Sequence, residues 1–155
     1  EFISKIQTIG FMKKIAWKRA RTRFASGMAM ALKSGLDMDE SLSLSEKLTD
    51  YEPLKMKIQQ CQEQMKEGEI FPKALKEAHI FDGMQERLMI IGYETGAVDE
   101  VMEQAADLYQ KQLQDQIQKM IAVLEPTLVG ILCVIVGIIL LSVMLPLVGI
   151  MAGIG

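Results

Sequence analysis

The pattern of hydrophobic and polar positions changes character at residue 126. Residues 126–155 contain no Asp, Glu, Lys, Arg or His, and the stretch from Leu128 to Leu145 is almost entirely aliphatic. At about 1.5 Å per helical residue this stretch reaches roughly 27 Å, which crosses a hydrocarbon core with help from flanking residues. A helix that is apolar on every side has no face for water. We therefore expect residues 126–155 to hold a transmembrane helix and a short end beyond it.

Before residue 126, apolar residues recur at helical spacing and the alternation typical of strands is missing. Glycines predict helix ends at Gly35, near Gly68 and by Gly96. The pattern predicts a first helix that includes Phe24, Met28, Ala31 and Leu32. The later helix starts, in chain order, are Asp37 with Glu40 as a capping box, Pro53, Pro72 and a cap at Asp82. In the helix after Asp82, the pattern places Met84, Leu88 and Ile91 on one apolar side.

The last predicted helix begins near residue 97, and its amphipathic pattern runs without a break into the apolar tail. Pro126 lacks a backbone donor and should kink this helix near the membrane interface. The fold class that follows is all-α: a small cytoplasmic bundle of about six helices whose last helix continues into a C-terminal transmembrane helix. We expect a basic juxtamembrane lead over residues 1–19, the bundle over 20–125 and the membrane segment over 126–155.

Charge is distributed unevenly and predicts the orientation. Residues 1–25 carry a net charge of +6, whereas residues 26–125 carry −9. The basic lead and the lysines before the span indicate a cytoplasmic bundle with the C-terminus across the membrane. Six cations between Lys13 and Arg23, with Trp17 among them, are also compatible with nucleic-acid binding. Because an apolar span is present, we favour membrane lipid as the partner and expect no nucleic acid.

Candidate chemistry is sparse. The sequence has no phosphate-binding loop, no nucleophile elbow and no zinc-protease motif. His79 is the only histidine, and we expect it to face solvent near a helix end. Acidic groups at 37–40 and 99–103 could ligate a hard cation, but acids at helix starts more often complement the helix dipole. We expect no catalytic, cofactor-binding or metal site, and we expect Cys61 and Cys133 to be free thiols.

Gly92 and Gly96 form the most informative local motif. Gly96 suits a left-handed residue at the end of the fifth helix. Gly92 still lies within the apolar helical pattern, so we expect the helix to pack closely against a neighbour at this position.

The order of these landmarks resembles a known family over about residues 20–148. The landmarks are Arg23-Phe24, Leu32, Gly35, Pro53-Leu54, Gly68, Ala74-Leu75, Phe81, Gly92 with Gly96, the run from Val98 to Val101, Glu125-Pro126 and Leu145-Pro146. Together they are similar to the repeated domain of the inner-membrane platform protein of type II secretion and type IV pilus systems. One position departs from the family pattern: Tyr93 stands where an acidic residue is usual. A cation site suggested for some relatives is therefore not carried over.

The resemblance implies the C-terminal repeat of such a platform in the bacterial inner membrane. Its implied partners are a cytoplasmic assembly ATPase, pilin or pseudopilin subunits, other inner-membrane assembly proteins and further copies of itself. Structural or coupling roles are implied for Gly92, Gly96, Glu125, Pro126 and Pro146.

An alternative function class stays open at this point, namely a tail-anchored helical adaptor for signalling or regulation at the membrane. Because the chain begins with Glu1, we expect it to be a piece of a longer protein. Residues 3–12 would then be the end of a preceding membrane helix.

Overall fold

The computed structural model describes residues 2–154, with side chains described for residues 5–153, and its regular elements over that range are all α-helices. They are α1 (Phe2–Lys33), α2 (Met38–Lys47), α3 (Glu52–Lys66), α4 (Phe71–Glu77), α5 (Gly83–Thr95) and α6 (Val98–Ile154). The predicted all-α fold with a long apolar C-terminal helix is confirmed. The chain divides into two units, residues 1–113 and residues 114–155.

Three glycines end helices through the same physical device. Gly35, Gly68 and Gly96 have φ values of 89°, 99° and 74°, in the left-handed region that costs other residues energy. In each case the next residue's N–H donates to a carbonyl five positions back: Leu36 to Ala31, Glu69 to Gln64 and Ala97 to Gly92. These bonds satisfy carbonyls that the helix end leaves without a partner. The three predicted helix ends are confirmed.

The predicted helix starts are mostly correct, with one exception. The Asp37 carboxylate accepts from the Glu40 N–H at 2.8 Å and caps α2, while Pro53 and Pro72 lie in the first turns of α3 and α4. The exception is at the front, where α1 begins at Phe2 rather than at Arg23-Phe24, the start that the family resemblance implies. The basic lead is rich in Lys, Arg and Ala, which favour helix, and contains no proline that would stop one.

The core of the first unit is built from all six helices. Helix α1 packs against α2 and α3, and the sequence neighbours from α2 to α5 pack in turn. The largest fully buried side chains include Tyr109, Phe24, Phe71 and Met28. The first three turns of α6 contribute Val98, Met102, Ala105 and Tyr109 to this core.

The apolar side predicted for α5 is buried only in part, since Leu88 packs against the core but Met84 and Ile91 do not. Met84 and Ile91 are 72% and 56% exposed, whereas the helix buries Gln85, Met89 and Gly92. Apolar residues lie on two overlapping faces of α5. Hydrophobicity alone therefore does not identify the face that packs against the rest of the bundle. Helix α6 approaches α5 closely at Gly92, where an added Cβ would collide with Val101. The face of α5 that carries Gly92 is therefore the face that packs against α6.

The second unit is the remainder of α6. Its aliphatic side chains between Leu128 and Met151 are exposed to their surroundings. By length and composition this helix can cross a membrane. Exposed aliphatic groups on every side are costly in water and favourable in lipid, so this part of the chain is a membrane helix.

Candidate coupling site

Arg21 of α1 is a buried cation whose partners come from other helices and from the turn before α5. Its side chain is 7% exposed, and its Nη1 donates to the Asp82 carboxylate at 2.9 Å. The guanidinium carbon lies 4.2 Å from the centroid of the Tyr109 ring and 5.7 Å from that of Trp17. An arginine can be buried in this way because its planar, weakly hydrated head stacks on aromatic faces while it pairs with an anion.

Tyr109 ties α6 to the same point. The Asp82 backbone N–H donates to the Tyr109 hydroxyl at 3.2 Å, and the Tyr109 ring stacks on Phe81 with centroids 5.7 Å apart. Burial raises the pKa of Tyr109, so the hydroxyl stays neutral at ordinary pH. Helix α1, the α4–α5 turn and α6 therefore meet at one cluster of Trp17, Arg21, Phe81, Asp82 and Tyr109, which we call the arginine clamp.

Lys57 adds α3 to the arginine clamp. Its ammonium nitrogen donates to the carbonyl of His79 at 3.0 Å and lies 4.7 Å from the centroid of Trp17. Partial burial lowers the pKa of Lys57, and the charge of Arg21 lowers it further. His79 is exposed just past α4 with a φ of 52°, as predicted for a residue near a helix end. Its backbone, not its imidazole, makes the contact with Lys57.

The α5–α6 corner is the second feature that fixes α6. A Cβ on Gly92 would lie 2.6 Å from Val101 Cγ2 and 3.3 Å from the Ala97 carbonyl oxygen. The Ala97 N–H donates to the Gly92 carbonyl at 2.7 Å, and Gly96 has the left-handed conformation. The close packing expected at Gly92 and the left-handed helix end expected at Gly96 are both present. The corner thus holds the first turns of α6 directly against α5.

An exposed ion pair joins α1 to α6 as well. The Lys33 ammonium pairs with the Glu103 carboxylate, and this hydrogen bond raises the pKa of Lys33. Arg23 and Asp50 form a longer pair at 3.9 Å, with both side chains mostly exposed. Exposed ion pairs of this kind contribute little to stability. The packing of α6 against the bundle therefore depends mainly on its buried contacts.

The remaining predicted site residues lie in the second unit. Glu125, Pro126 and Pro146 are all exposed and all within the helical range of α6. The Thr127 hydroxyl donates to the Val123 carbonyl at 2.8 Å, next to the position where Pro126 removes a donor. Gly92 and Gly96 belong to the first unit. The kink at Pro126 stays a prediction.

Sequence reasoning missed the arginine clamp. It counted Arg21 among the cations that flank the membrane, although Arg21 lies four residues after Trp17 and three before Phe24. That spacing places the three residues on one side of a helix. This shared face was the feature of the sequence that could have predicted the cluster. Asp82 does begin α5, but its side chain makes no capping bond because it pairs with Arg21.

Groups that could carry chemistry are separated from one another. Among the described residues, no three His, Cys, Asp or Glu side chains are grouped as metal ligands. Asp99 and Glu100 lie in the first turn of α6, and Asp37 caps α2. Cys61 is fully buried, and burial raises its pKa to about 12. A thiol with that pKa is not a nucleophile at physiological pH.

The fold and the site together define a class of protein: a helical bundle that is fastened to the start of a helix whose far part spans a membrane. Comparison with known families makes the assignment specific. The chain belongs to the family of the type II secretion system (T2SS) protein F, whose sequence model matches residues 24–146.

Individual relatives agree with this family. A type IV pilus assembly protein PilC of Thermus thermophilus is 28% identical over 84% of the chain and 32% of the relative. A type II secretion system protein F of Aeromonas hydrophila is 26% identical over 81% of the chain and 32% of its own length. The type IV pilus assembly protein TapC of the same species is 22% identical over 95% of the chain and 35% of its own length. The chain spans about a third of the length of these relatives.

Proposed function

We propose that the chain is the C-terminal bundle and final membrane helix of an inner-membrane platform protein in a type II secretion or type IV pilus assembly machine. In this role it couples a cytoplasmic ATPase to the assembly of pilin or pseudopilin subunits. The family match and the names of the relatives support the machine. The observation that carries the proposal is that α6 begins in the bundle core and ends as an apolar span.

The chemistry of the chain fits a part that receives work from elsewhere. The sequence contains no phosphate-binding loop, so energy must come from a partner that binds nucleotide. An α-helix holds its backbone hydrogen bonds internally and is a stiff connector between a soluble body and a lipid-embedded segment. The arginine clamp and the α5–α6 corner fix the start of this connector to the bundle.

The proposed orientation places the bundle in the cytoplasm. Lys111 and Lys119 precede the span, and residues 146–155 contain no basic residue. The basic first half of α1 carries the same sign of charge. Cytoplasmic flanks of membrane helices carry such an excess of Lys and Arg.

Alanine insertions after Lys119 test the coupling role. One inserted residue rotates the far part of a helix by about 100° relative to the near part, whereas seven residues restore the phase to within about 20°. We expect one or two alanines to abolish pilus assembly or secretion in the host, because the bundle and the membrane helix then face the wrong partners.

Seven alanines lengthen the connector but keep its phase, so they provide the matched control and should retain part of the assembly activity. Immunoblots of membrane fractions must show equal amounts of each variant. Full assembly with the single insertion would contradict the coupling role. Normal assembly in a strain that lacks the protein would contradict the proposed machine as a whole.

A further inference from the structure

A groove on the first unit combines an apolar lining with two arginines. It lies between α1 and the segment that joins α2 to α3, and its volume is about 470 Å³. Met12, Ile15 and Leu48 contribute apolar side chains to it, whereas Arg19 and Arg23 contribute guanidinium groups. Ligand sites in proteins are concave and largely apolar, with a few polar groups that fix the orientation of the ligand. The groove therefore has the composition of a site for a molecule with an apolar part and an anionic part.

Both arginines are available to a ligand. They lie four residues apart on α1, about 6 Å along the helix axis, so both guanidinium groups can reach one phosphate. Arg19 is exposed and makes no ion pair within the part of the chain that the structure describes. Arg23 pairs with Asp50 only loosely, at 3.9 Å, and the Asp50 side chain is 92% exposed. Two cations against one carboxylate give the groove a charge that favours an anion.

The apolar and the cationic parts of the groove are separated along α1. Ile15 lies about one turn before Arg19 and Met12 about two turns before it, whereas Arg23 lies about one turn after it. A phospholipid has the same order, with acyl chains at one end and a phosphate at the other. A small soluble phosphate compound would leave the apolar end of the groove without a partner.

The start of α1 indicates the side from which a lipid enters. Ile6, Ile9 and Met12 are 58%, 55% and 64% exposed, and Lys5 and Lys13 lie beside them in the chain. Exposed apolar residues beside cations are typical of a helix in the interface of a bilayer, where lysines reach the headgroups. With the start of α1 in this interface, the apolar end of the groove is the end nearer the acyl chains.

We propose that the groove binds one anionic phospholipid, whose phosphate lies between Arg19 and Arg23 and whose acyl chain lies along Ile15 and Met12. A headgroup that carries no cation of its own, such as that of phosphatidylglycerol, avoids repulsion with the two guanidinium groups. This site differs from a general attraction of the basic lead for a membrane surface, because it depends on one side of α1. It goes beyond the proposed function, since it does not depend on which machine the protein serves.

Trp17 is the only tryptophan of the chain and can report whether the groove is occupied. Its ring centroid lies 6.2 Å from that of Tyr51, which lines the groove. Bromine atoms on acyl chains quench tryptophan fluorescence at short range. The whole chain is reconstituted in phosphatidylcholine vesicles with a minor fraction of phosphatidylglycerol. In one sample the phosphatidylglycerol is brominated, and in the other an equal amount of phosphatidylcholine is brominated. We expect several-fold more quenching in the first sample.

Matched variants of α1 separate the groove from the general charge of the helix. Arg19→Gln/Arg23→Gln should reduce the quenching by brominated phosphatidylglycerol to the level of phosphatidylcholine. Lys14→Gln/Lys18→Gln removes the same charge at the same spacing, but from the opposite side of the helix, and should keep the quenching of the parent chain. Asp50→Asn removes the carboxylate of the groove and should increase the quenching. Circular dichroism establishes that each variant is folded.

Equal quenching by the two brominated lipids would overturn the proposal. Equal quenching of the two double variants would also overturn it, because the charge of the helix as a whole would then be sufficient, or no charge would matter. Relief of the quenching by excess inorganic phosphate or by polyglutamate would assign the groove to a soluble phosphate or to an acidic protein, and either result overturns the lipid. The test needs no pilus or secretion assay, so this proposal and the proposed function can fail separately.

Discussion

At the scale of single residues, the arginine clamp depends on a cation that the fold has removed from water. Asp82 is 60% exposed, but its partner Arg21 is only 7% exposed. Loss of the Asp82 carboxylate leaves the buried positive charge of Arg21 with only aromatic rings as partners. Loss of Arg21 leaves a carboxylate that water can solvate. Removing one partner of a buried pair is costly mainly through the charge that remains.

We therefore expect Asp82→Ala to lower the free energy of unfolding by about 2–4 kcal/mol, and more than Arg21→Met does. The double variant Arg21→Met/Asp82→Ala should be more stable than Asp82→Ala alone. Asp50→Ala, which removes the exposed partner of Arg23, is the matched control and should change stability by less than about 1 kcal/mol. Urea unfolding in detergent measures all four variants. Equal losses for Asp82→Ala and Asp50→Ala would contradict the account of the clamp.

Gly92 tests the close packing of α5 on α6. Its added methyl would lie 2.6 Å from Val101 Cγ2, and valine is stiff about χ1, so Gly92→Ala should destabilise the bundle by about 1–3 kcal/mol. Val101→Ala should recover much of that loss in the double variant.

Gly27 in α1 is the matched glycine for this experiment, since its added Cβ would meet only Ser45 Oγ at an ordinary 3.6 Å. Gly27→Ala should be neutral or stabilising by up to about 1 kcal/mol through helix propensity. Thermal unfolding followed by circular dichroism separates these cases. A Gly92→Ala variant as stable as Gly27→Ala would show that the corner is not tightly packed.

Cys61 makes stability depend on pH in the alkaline range. Its ordinary pKa of 9.0 applies to the unfolded chain, and burial raises the pKa to about 12 in the fold. Between these values the unfolded state has released the proton and the folded state retains it, so stability falls as pH rises from 9 towards 12. The full effect is up to about 4 kcal/mol.

The Cys61→Ala variant should lose packing energy at pH 7 but show a flatter decline in stability above pH 9. Cys133→Ala, which changes an exposed cysteine of the membrane helix, should keep the decline of the parent protein. Urea unfolding at pH 8, 9 and 10 measures the slopes. Identical slopes for the two alanine variants would mean that Cys61 is accessible to hydroxide in the fold.

At the scale of helices, the ends were predictable and the packing faces were less so. Gly35, Gly68 and Gly96 end helices for a local reason, a positive φ that a sequence can signal through glycine alone. The inner face of α5 depends on which neighbour approaches it, and apolar residues extend around more than one side of that helix. The start of α1 was placed too late because the basic lead was interpreted through its charge and not through its helix propensity.

Gly96 offers the sharpest test at this scale, because its conformation ends α5. Its φ of 74° lies in the left-handed region, where alanine costs about 1–2 kcal/mol and asparagine costs less. We expect Gly96→Ala to destabilise the bundle more than Gly96→Asn does, since neither added Cβ meets a neighbour. Differential scanning calorimetry of the two variants checks this order. The reverse order would show that the corner does not depend on a left-handed residue.

At the scale of the whole molecule, the sequence was sufficient for the fold class and the membrane helix because both follow from solvent preference along the chain. It was insufficient for the arginine clamp, because Arg21, Asp82 and Tyr109 are brought together from distant positions by tertiary packing. Long-range contacts of this kind leave no local pattern beyond the helical spacing of Trp17, Arg21 and Phe24. The family match relates the chain to the type II secretion system protein F, and the chain covers about a third of the length of its relatives.

The central claim is that the apolar end of α6 lies in lipid and holds the bundle at the membrane. Fractionation of cells that express the 155-residue chain, followed by carbonate extraction, tests this claim most directly. The chain should remain in the extracted membrane pellet, whereas a version ending at Glu125 should appear in the supernatant. Recovery of the whole chain in the supernatant, monodisperse without detergent, would contradict the account.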